Sequence, residues 1–378
     1  MRKNRGRPGS RNPYRPERVL IDVRSLDDSL TRKVLAKLGD VPRDIIRNPG
    51  EKKAALAEIK NAPDPLSAGK KILWLTVQRG KFVKACPCTP GYVGCNYVTI
   101  NLNLQCPLDC SYCILQGYLS EPWVTLYTNI KDLWSELDEF LDRRKGRYLR
   151  VGTGELGDSL ALDHLTGLSA EFFSYFRRRP EVDFELKTKT VNIDCLLEIE
   201  PPKNAVVSWS LNTEAMAQAE ESGAPSVARR LKAARALAAR GYRLGFHFDP
   251  LIRHYGWKRG YAAVISALFK NVPASRIAWI SLGALRFPHS LKKVIEERFP
   301  KTHILSGEFV LGKDRKLRYF RPERNDLFET VAWLIKRTGE GANVPLYLCM
   351  ESPELWRDVM GWTPKGKRSV QESLSLRR

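Results

Sequence analysis

The sequence predicts an α/β fold, a partial (β/α)6 TIM-like barrel followed by a C-terminal α+β extension. The first observation behind this is a series of strand-like runs rich in β-branched and aromatic residues. They are YVTINLN (97–103), YLRVG (148–152), DFELKT (183–188), AVVSWSL (205–211), YRLGFHF (242–248) and RIAWISL (276–282). The second is that amphipathic segments alternate with them. In PSVARRLKAARALAARG (225–241), Val227, Leu231, Ala234 and Leu237 share one face and Gly241 suits a C-cap. The third is the count: six strands separated by helices pair in parallel through right-handed crossovers, but they are too few to close an eight-unit barrel. One side stays open, and functional residues belong at the C-terminal rim of the strands.

The remaining elements follow in order. Residues 1–20 form a basic arm with little to bury and read as disordered. Within it Arg5-Gly6-Arg7-Pro8 resembles the core of an AT-hook, which lays arginines in a narrow minor groove. Residues 21–84 are an N-terminal segment, and 85–285 hold the barrel, with a helix near 130–144 after its first strand. The extension, 286–378, starts with the helix FPHSLKKVIEERF. It continues as strand, turn and strand around Gly312-Lys313-Asp314 and returns to helix at 325–337.

Composition narrows the function classes. Lys and Arg total 63 against 42 Asp and Glu, a formal charge of +21, which calls for a polyanionic partner such as nucleic acid. No run of eighteen apolar residues exists, and the basic N-terminus lacks the apolar centre of a signal peptide. These features point to a cytoplasmic protein with no membrane partner, taken here as a monomer. In that compartment the eight cysteines are metal ligands or buried thiols rather than disulfides.

Three of those cysteines carry the chemistry. Cys106, Cys110 and Cys113 lie in the loop CPLDCSYC after the first barrel strand, spaced Cys-x3-Cys-x2-Cys, with no histidine nearby. A structural zinc site takes four ligands, usually in two close pairs, so this would be one ligand short. Three thiolates on an iron–sulfur cubane leave one iron without a protein ligand, free to chelate a small molecule.

The spacing, with Tyr112 just before the last cysteine, resembles the radical S-adenosylmethionine (radical SAM) superfamily. A longer resemblance, through DCSYCILQGYL, LDHLTGL, TKTVNIDCLL, RLKAARALAARGYRLGFHFDPLIRHYGW, SGEFVLGKDRKLRYFRPER and VPLYLCMESPELW, is to the spore photoproduct lyase-like family. That resemblance implies a [4Fe-4S] cluster on Cys106, Cys110 and Cys113, with SAM chelated by the open iron and cleaved to a 5′-deoxyadenosyl radical. It also implies light-independent repair of thymine photoproducts in DNA, with an electron donor such as flavodoxin or ferredoxin. Carried over position by position, Tyr112 sits beside the adenosyl group. Gly154 and Glu155 of GTGE hold the methionine ammonium, Lys189 its carboxylate, and Ser210 makes a further polar SAM contact. The resemblance places Tyr112 and Glu155 in the catalytic centre. For DNA it implies the hairpin residues Lys313, Arg315, Lys316 and Arg318, with Arg321 and Arg324 beyond, while Arg5 and Arg7 come from the arm.

Two positions depart from the family. Glu155 stands where a cysteine returns a hydrogen atom to product, and Ile114 where a relay tyrosine is expected. An SPL-like enzyme acting on another nucleic-acid substrate is therefore the second reading, and a non-catalytic iron–sulfur protein that binds nucleic acid the third. Cys86, Cys88 and Cys95 of ACPCTPGYVGCNY are structural thiols, a hydrogen donor or a second metal site. Cys195 and Cys349 read as core residues, His247 as a satisfied core histidine, and His254 as a loop residue near the pocket.

Overall fold

The computed structural model describes residues 13–86, 88–365, 370, 371 and 373–376. Arg5 and Arg7 lie outside the described residues. At the centre is a curled eight-stranded sheet. Its spatial order is Leu346–Leu348, Ile277–Ala284, Arg243–Leu251, Ala205–Ser210, Val182–Thr188, Leu149–Thr153, Val98–Ile100 and Val83–Ala85. Neighbours pair in parallel except the last two, which form a hairpin. The two edge strands do not pair with each other, so the sheet is a half-barrel.

All six expected strands are present. The strand Ile277–Ala284 is buried at every position and Val182–Thr188 at all but Lys187, as a parallel sheet covered on both faces requires. A seventh parallel strand, Leu346–Leu348, comes from the C-terminal extension and pairs Ile280 with Leu346 and Leu282 with Leu348. Three residues are too few to show an alternation, which is why the sequence does not display it. Inside the barrel the His247 ring is held between Ser281 (2.6 Å) and Glu185 (2.8 Å), the satisfied core histidine expected.

The helix Val227–Ala239 buries Val227, Leu231, Ala234 and Leu237 as its pattern predicts, and Ser226 caps its start by accepting from the Arg229 N–H. Gly241 follows at φ +98°, a left-handed position that suits glycine at a helix end.

A second sheet joins the N-terminal segment to the barrel chain, in the order Arg43–Ile46, Arg18–Asp22, Ile72–Thr76, Val124–Tyr127 and Asn103–Leu104. Where the sequence reads as a solvated arm up to residue 20, Val19 and Leu20 are buried in the Arg18–Asp22 strand. Only three apolar residues between charges mark that strand, and its partner strands make it stable. In the extension, the helix His289–Arg298 leads to a three-stranded antiparallel sheet of Arg286–Pro288, Lys316–Tyr319 and Phe309–Leu311. The helix Arg321–Arg337 then packs Phe328, Val331 and Ile335 into the core.

Candidate active site

Cys106, Cys110 and Cys113 line one cavity of about 260 Å³ together with Tyr112. Gly154, Glu155, Lys189 and Ser210, from the ends of three successive barrel strands, line the same cavity. A larger cavity of about 690 Å³ lies against the N-terminal sheet, but none of the cysteines reaches it. The chemistry therefore belongs to the smaller one.

The cysteine loop is held by residues remote in sequence. Asp109–Cys110 pairs antiparallel with Glu221–Ser222, and the Ser111 N–H donates to the Glu220 carbonyl at 2.8 Å. Lys70 Nζ donates to the Cys106 carbonyl at 3.0 Å, and Gln116 Nε2 to those of Cys110 and Ser111 at 3.1 and 2.8 Å. Arg298 bridges Asp64 and Asp109, 2.9 Å from each. Sequence reasoning missed all of these. Arg298 reads as an ordinary helix-end arginine, because its partner Asp109 is 189 residues away along the chain.

Behind the loop runs a buried polar chain. The Tyr112 hydroxyl donates to Glu221, Glu221 pairs with Arg230, and Arg230 Nη1 donates to the Ser210 carbonyl at 3.0 Å. Lys189 Nζ stands 5.5 Å from the centre of the Tyr112 ring. Burial opposes charge on both Glu221 and Lys189. For Glu221, Lys189 and Arg230 outweigh burial and hold its carboxyl below the usual range. For Lys189, Cys110 and Glu221 outweigh it and raise the ammonium. The Lys189 N–H also donates to Asp158 at 2.8 Å, and this buried carboxylate takes Thr188 Oγ1 at 2.7 Å. Asp158 lines the cavity too and had no signal in the sequence beyond being one acid among many.

The thiols suit a cluster better than a single ion. Three thiolates are one ligand short of a structural zinc site, whereas a cubane can take each of them on a different iron and keep its fourth iron open. Burial pushes the Cys110 thiol up to about 12, against Lys189, and pushes Cys106 well above its usual value. Loading the cluster would thus displace protons from the thiols.

Gly154 sits at φ +92°, and a Cβ there would come within 2.7 Å of the Lys187 carbonyl oxygen and Ser159 Oγ. Only glycine fits that bend, which turns Glu155 toward Lys187, with Oε2 3.3 Å from Nζ.

The hairpin corrects part of the expected DNA surface. Lys313 and Arg315 are exposed at its turn. Arg318 is instead buried between Asp314 (2.6 Å) and Glu351 (3.3 Å), its guanidinium 4.5 Å from the Tyr92 ring centre. Alternation along Lys316–Tyr319 sets residues 316 and 318 on one face, and that face turns inward. Lys316 accordingly lines the catalytic cavity, Arg324 is buried with Nη1 2.6 Å from the Tyr319 carbonyl, and Arg321 pairs with Asp358 at 2.6 Å. His254 bonds Thr213 at 2.8 Å and is not among the residues lining the cavity. Cys349 is no apolar core residue either, since Arg286 Nη2 lies 3.6 Å from its sulfur.

The model of the spore photoproduct lyase family matches residues 14–325. The chain belongs to the spore photoproduct lyase family. It is 26% identical to the spore photoproduct lyase of Geobacillus sp. (strain Y412MC61) over 357 residues, which cover 89% of this chain and 99% of that one. To the enzyme of Bacillus subtilis (strain 168) it is 26% identical over 306 residues, 78% and 85% of the two chains. A solved double variant of spore photoproduct lyase with bound AdoMet and dinucleoside spore photoproduct matches it with a TM-score of 0.75 at 24% identity, covering 89% and 99%. That likeness establishes the fold. As a member of the spore photoproduct lyase family the chain is a radical SAM lyase, and its cofactors are a [4Fe-4S] cluster and SAM.

Proposed function

We propose that this enzyme repairs spore photoproduct in DNA without light. The observation that carries the reading is the convergence of Cys106, Cys110, Cys113, Tyr112, Gly154, Glu155, Lys189 and Ser210 on one cavity in a chain of this family. When bound, the cluster and SAM supply a strongly reducing one-electron centre and a group that abstracts hydrogen from carbon.

The residues of the chain bind and orient. Cys106, Cys110 and Cys113 hold the cluster. Lys189, kept cationic by Glu221 and Cys110, pairs with the SAM carboxylate, a charge-assisted contact worth about 1.5–3 kcal/mol when shielded. Gly154 and Glu155 receive the SAM ammonium at the glycine bend, and Ser210 adds a hydroxyl at the end of its strand. Tyr112, fixed by Glu221, would offer its ring to the adenosyl group. Lys313 and Arg315 at the exposed hairpin turn bind phosphates of a damaged duplex, giving affinity without sequence preference. From a duplex the lesion must be drawn out of the stack to reach the cavity.

A small redox protein such as flavodoxin or ferredoxin supplies electrons, and the enzyme works in the cytoplasm. Among the described residues no helix is long and apolar enough to cross a membrane. The decisive assay is anaerobic reconstitution with iron and sulfide, reduction in the presence of SAM, and measurement of 5′-deoxyadenosine and restored thymidine with and without spore photoproduct. SAM-dependent conversion of the lesion to two intact thymidine residues is expected. SAM cleavage without conversion of the lesion would overturn the reading.

A further inference from the structure

A second group of thiols stands behind the lining of the catalytic cavity rather than in it. The loop between Val83–Ala85 and Val98–Ile100 carries Cys86, Cys88 and Cys95. Its Val93 forms an antiparallel bridge with Glu351, the Val93 N–H donating to the Glu351 carbonyl at 2.8 Å. The bridge is isolated, and it lays the segments that carry Cys95 and Cys349, each two residues from a bridge partner, alongside each other. Cys349, Cys95 and Cys86 are close enough to influence one another electrostatically, and Cys86 is likewise coupled to Glu155.

Cys349 directly follows the strand Leu346–Leu348, and its N–H donates to the Leu282 carbonyl at 2.7 Å, which fixes it at the barrel rim. Arg286 Nη2 contacts its sulfur at 3.6 Å, and the same guanidinium is anchored on Asp249 at 2.9 and 3.1 Å. Arg286, Asp249 and the adjacent Met350 all line the catalytic cavity. Cys349 keeps partial contact with solvent despite its deep position. Met350 and Asn96, both at φ 54°, hold left-handed backbone directly after Cys349 and Cys95. For residues with a side chain this conformation needs support from the surrounding structure.

The reaction requires such a thiol. Spore photoproduct and two thymines are isomers, so a repair that begins by withdrawing a hydrogen atom from the lesion must end by returning one. The carboxyl O–H bond of Glu155 is too strong to give a hydrogen atom to a stabilised carbon radical, whereas a thiol S–H bond is weak enough. We propose that Cys349 is the hydrogen-atom donor to the product radical, held directly behind the cavity wall by the positioning residue Arg286, which lines the cavity. This rests on the repair reading above.

In the step the Cys349 S–H bond breaks and a C–H bond forms on the thymine methylene carbon. The carbon radical is reduced by one electron, and the sulfur is oxidised by one electron to a thiyl. The hydrogen atom withdrawn from the lesion at the start restores the thiol, so no outside oxidant or reductant is consumed. Burial, with Asp249 beside it, raises the Cys349 thiol well above its usual value against the pull of Arg286. The sulfur therefore stays as S–H, the form with a hydrogen atom to give.

The test is repair of dinucleoside spore photoproduct by the reconstituted enzyme in D2O, with the product thymidine weighed by mass spectrometry. Thiol hydrogens exchange with solvent, so the wild type should place one deuterium in a thymine methyl group. Cys349→Ser and Cys349→Ala should lower that labelling at least tenfold while lesion-dependent SAM cleavage continues, and Cys195→Ser should change neither. Labelling that survives in both Cys349 variants would overturn the assignment and leave the repair reading intact. A wild type that cleaves SAM but forms no thymidine from the lesion would overturn both. Apart from turnover, mild oxidation of the metal-free protein should give a Cys95–Cys349 disulfide in a peptide map. If that crosslink does not form, the juxtaposition on which the proposal stands is wrong.

Discussion

Two walls of one cavity are built in opposite ways. The cluster-loop wall is backed by charges withdrawn from water: Arg230 and Glu221 side chains are 0% and 1% exposed. Lys70, Gln116 and Arg298 tie down the loop carbonyls and Asp109 from three separate elements. Facing it, Lys187 and Glu155 pair at 3.3 Å with side chains 26% and 37% exposed, and Lys316 reaches in from the hairpin. A buried pair must keep its geometry because either partner alone is costly, whereas a half-wet pair can open and re-form. The first wall suits a cluster that never leaves, and the second suits SAM and a lesion that enter and depart.

The contrast can be broken by measurement, and the largest effect belongs to the cluster wall. Cys110→Ala should reduce the visible absorption of the reconstituted cluster and SAM cleavage to background. Cleavage that persists would remove this cysteine from the metal site. Next comes Arg230→Ala, which strands the buried Glu221 and should cost about 3–5 kcal/mol in denaturant unfolding. Lys187→Ala, on the wetter wall, should cost no more than about 1 kcal/mol. Equal losses would mean that the two walls are not built differently.

Asp249 sharpens the comparison by pH. Burial alone would raise its carboxyl, but Arg286 and Lys187 outweigh burial and hold it down to about 2. A carboxyl depressed on folding contributes stability that is fully present above its unfolded value, near 3.9, and is lost as pH falls toward 2. The stability advantage of wild type over Asp249→Asn, on the order of 2 kcal/mol at neutral pH, should therefore close across that acid window. An advantage that stays constant down to pH 2 would show that the pair contributes nothing through charge.

The smallest effects lie on the hairpin. Lys313→Ala and Arg315→Ala should each lower the slope of log K against log salt for damaged duplex by about one, with turnover of the free dinucleoside unchanged. Arg318→Ala should lower stability instead, because it strips buried Asp314 of its close partner and leaves Glu351 with Arg324 at 3.6 Å.

Much of the site was legible in sequence because its parts are local. A spacing such as Cys106-x3-Cys110-x2-Cys113 survives in the linear chain, as does a glycine followed by an acid at a strand end. The six barrel strands were legible too, since each is long enough to show its β-branched run. What stayed hidden was short or remote. Leu346–Leu348 has three residues, and Arg18–Asp22 hides three apolar residues in a basic stretch. Glu221, Arg230 and Arg298 look like solvated helix charges until the cysteine loop is laid against them. The hairpin misled because its charge density is visible in sequence but the direction of each side chain is not, so Lys316 and Arg318 read as outward like Lys313.

The sequence by itself determined the half-barrel through the periodicity of its strands, set three cysteines within eight residues, and carried the likeness to the family through longer matching stretches. Tertiary structure alone decided which charges are buried and which thiols meet. The segments that carry Cys95 and Cys349 are brought together by a strand from the extension that pairs with the barrel edge and by a single bridge from Val93 to Glu351. Pairing between such distant segments is fixed by backbone hydrogen bonds available to any residue, so it leaves little trace in the side chains that a sequence spells out.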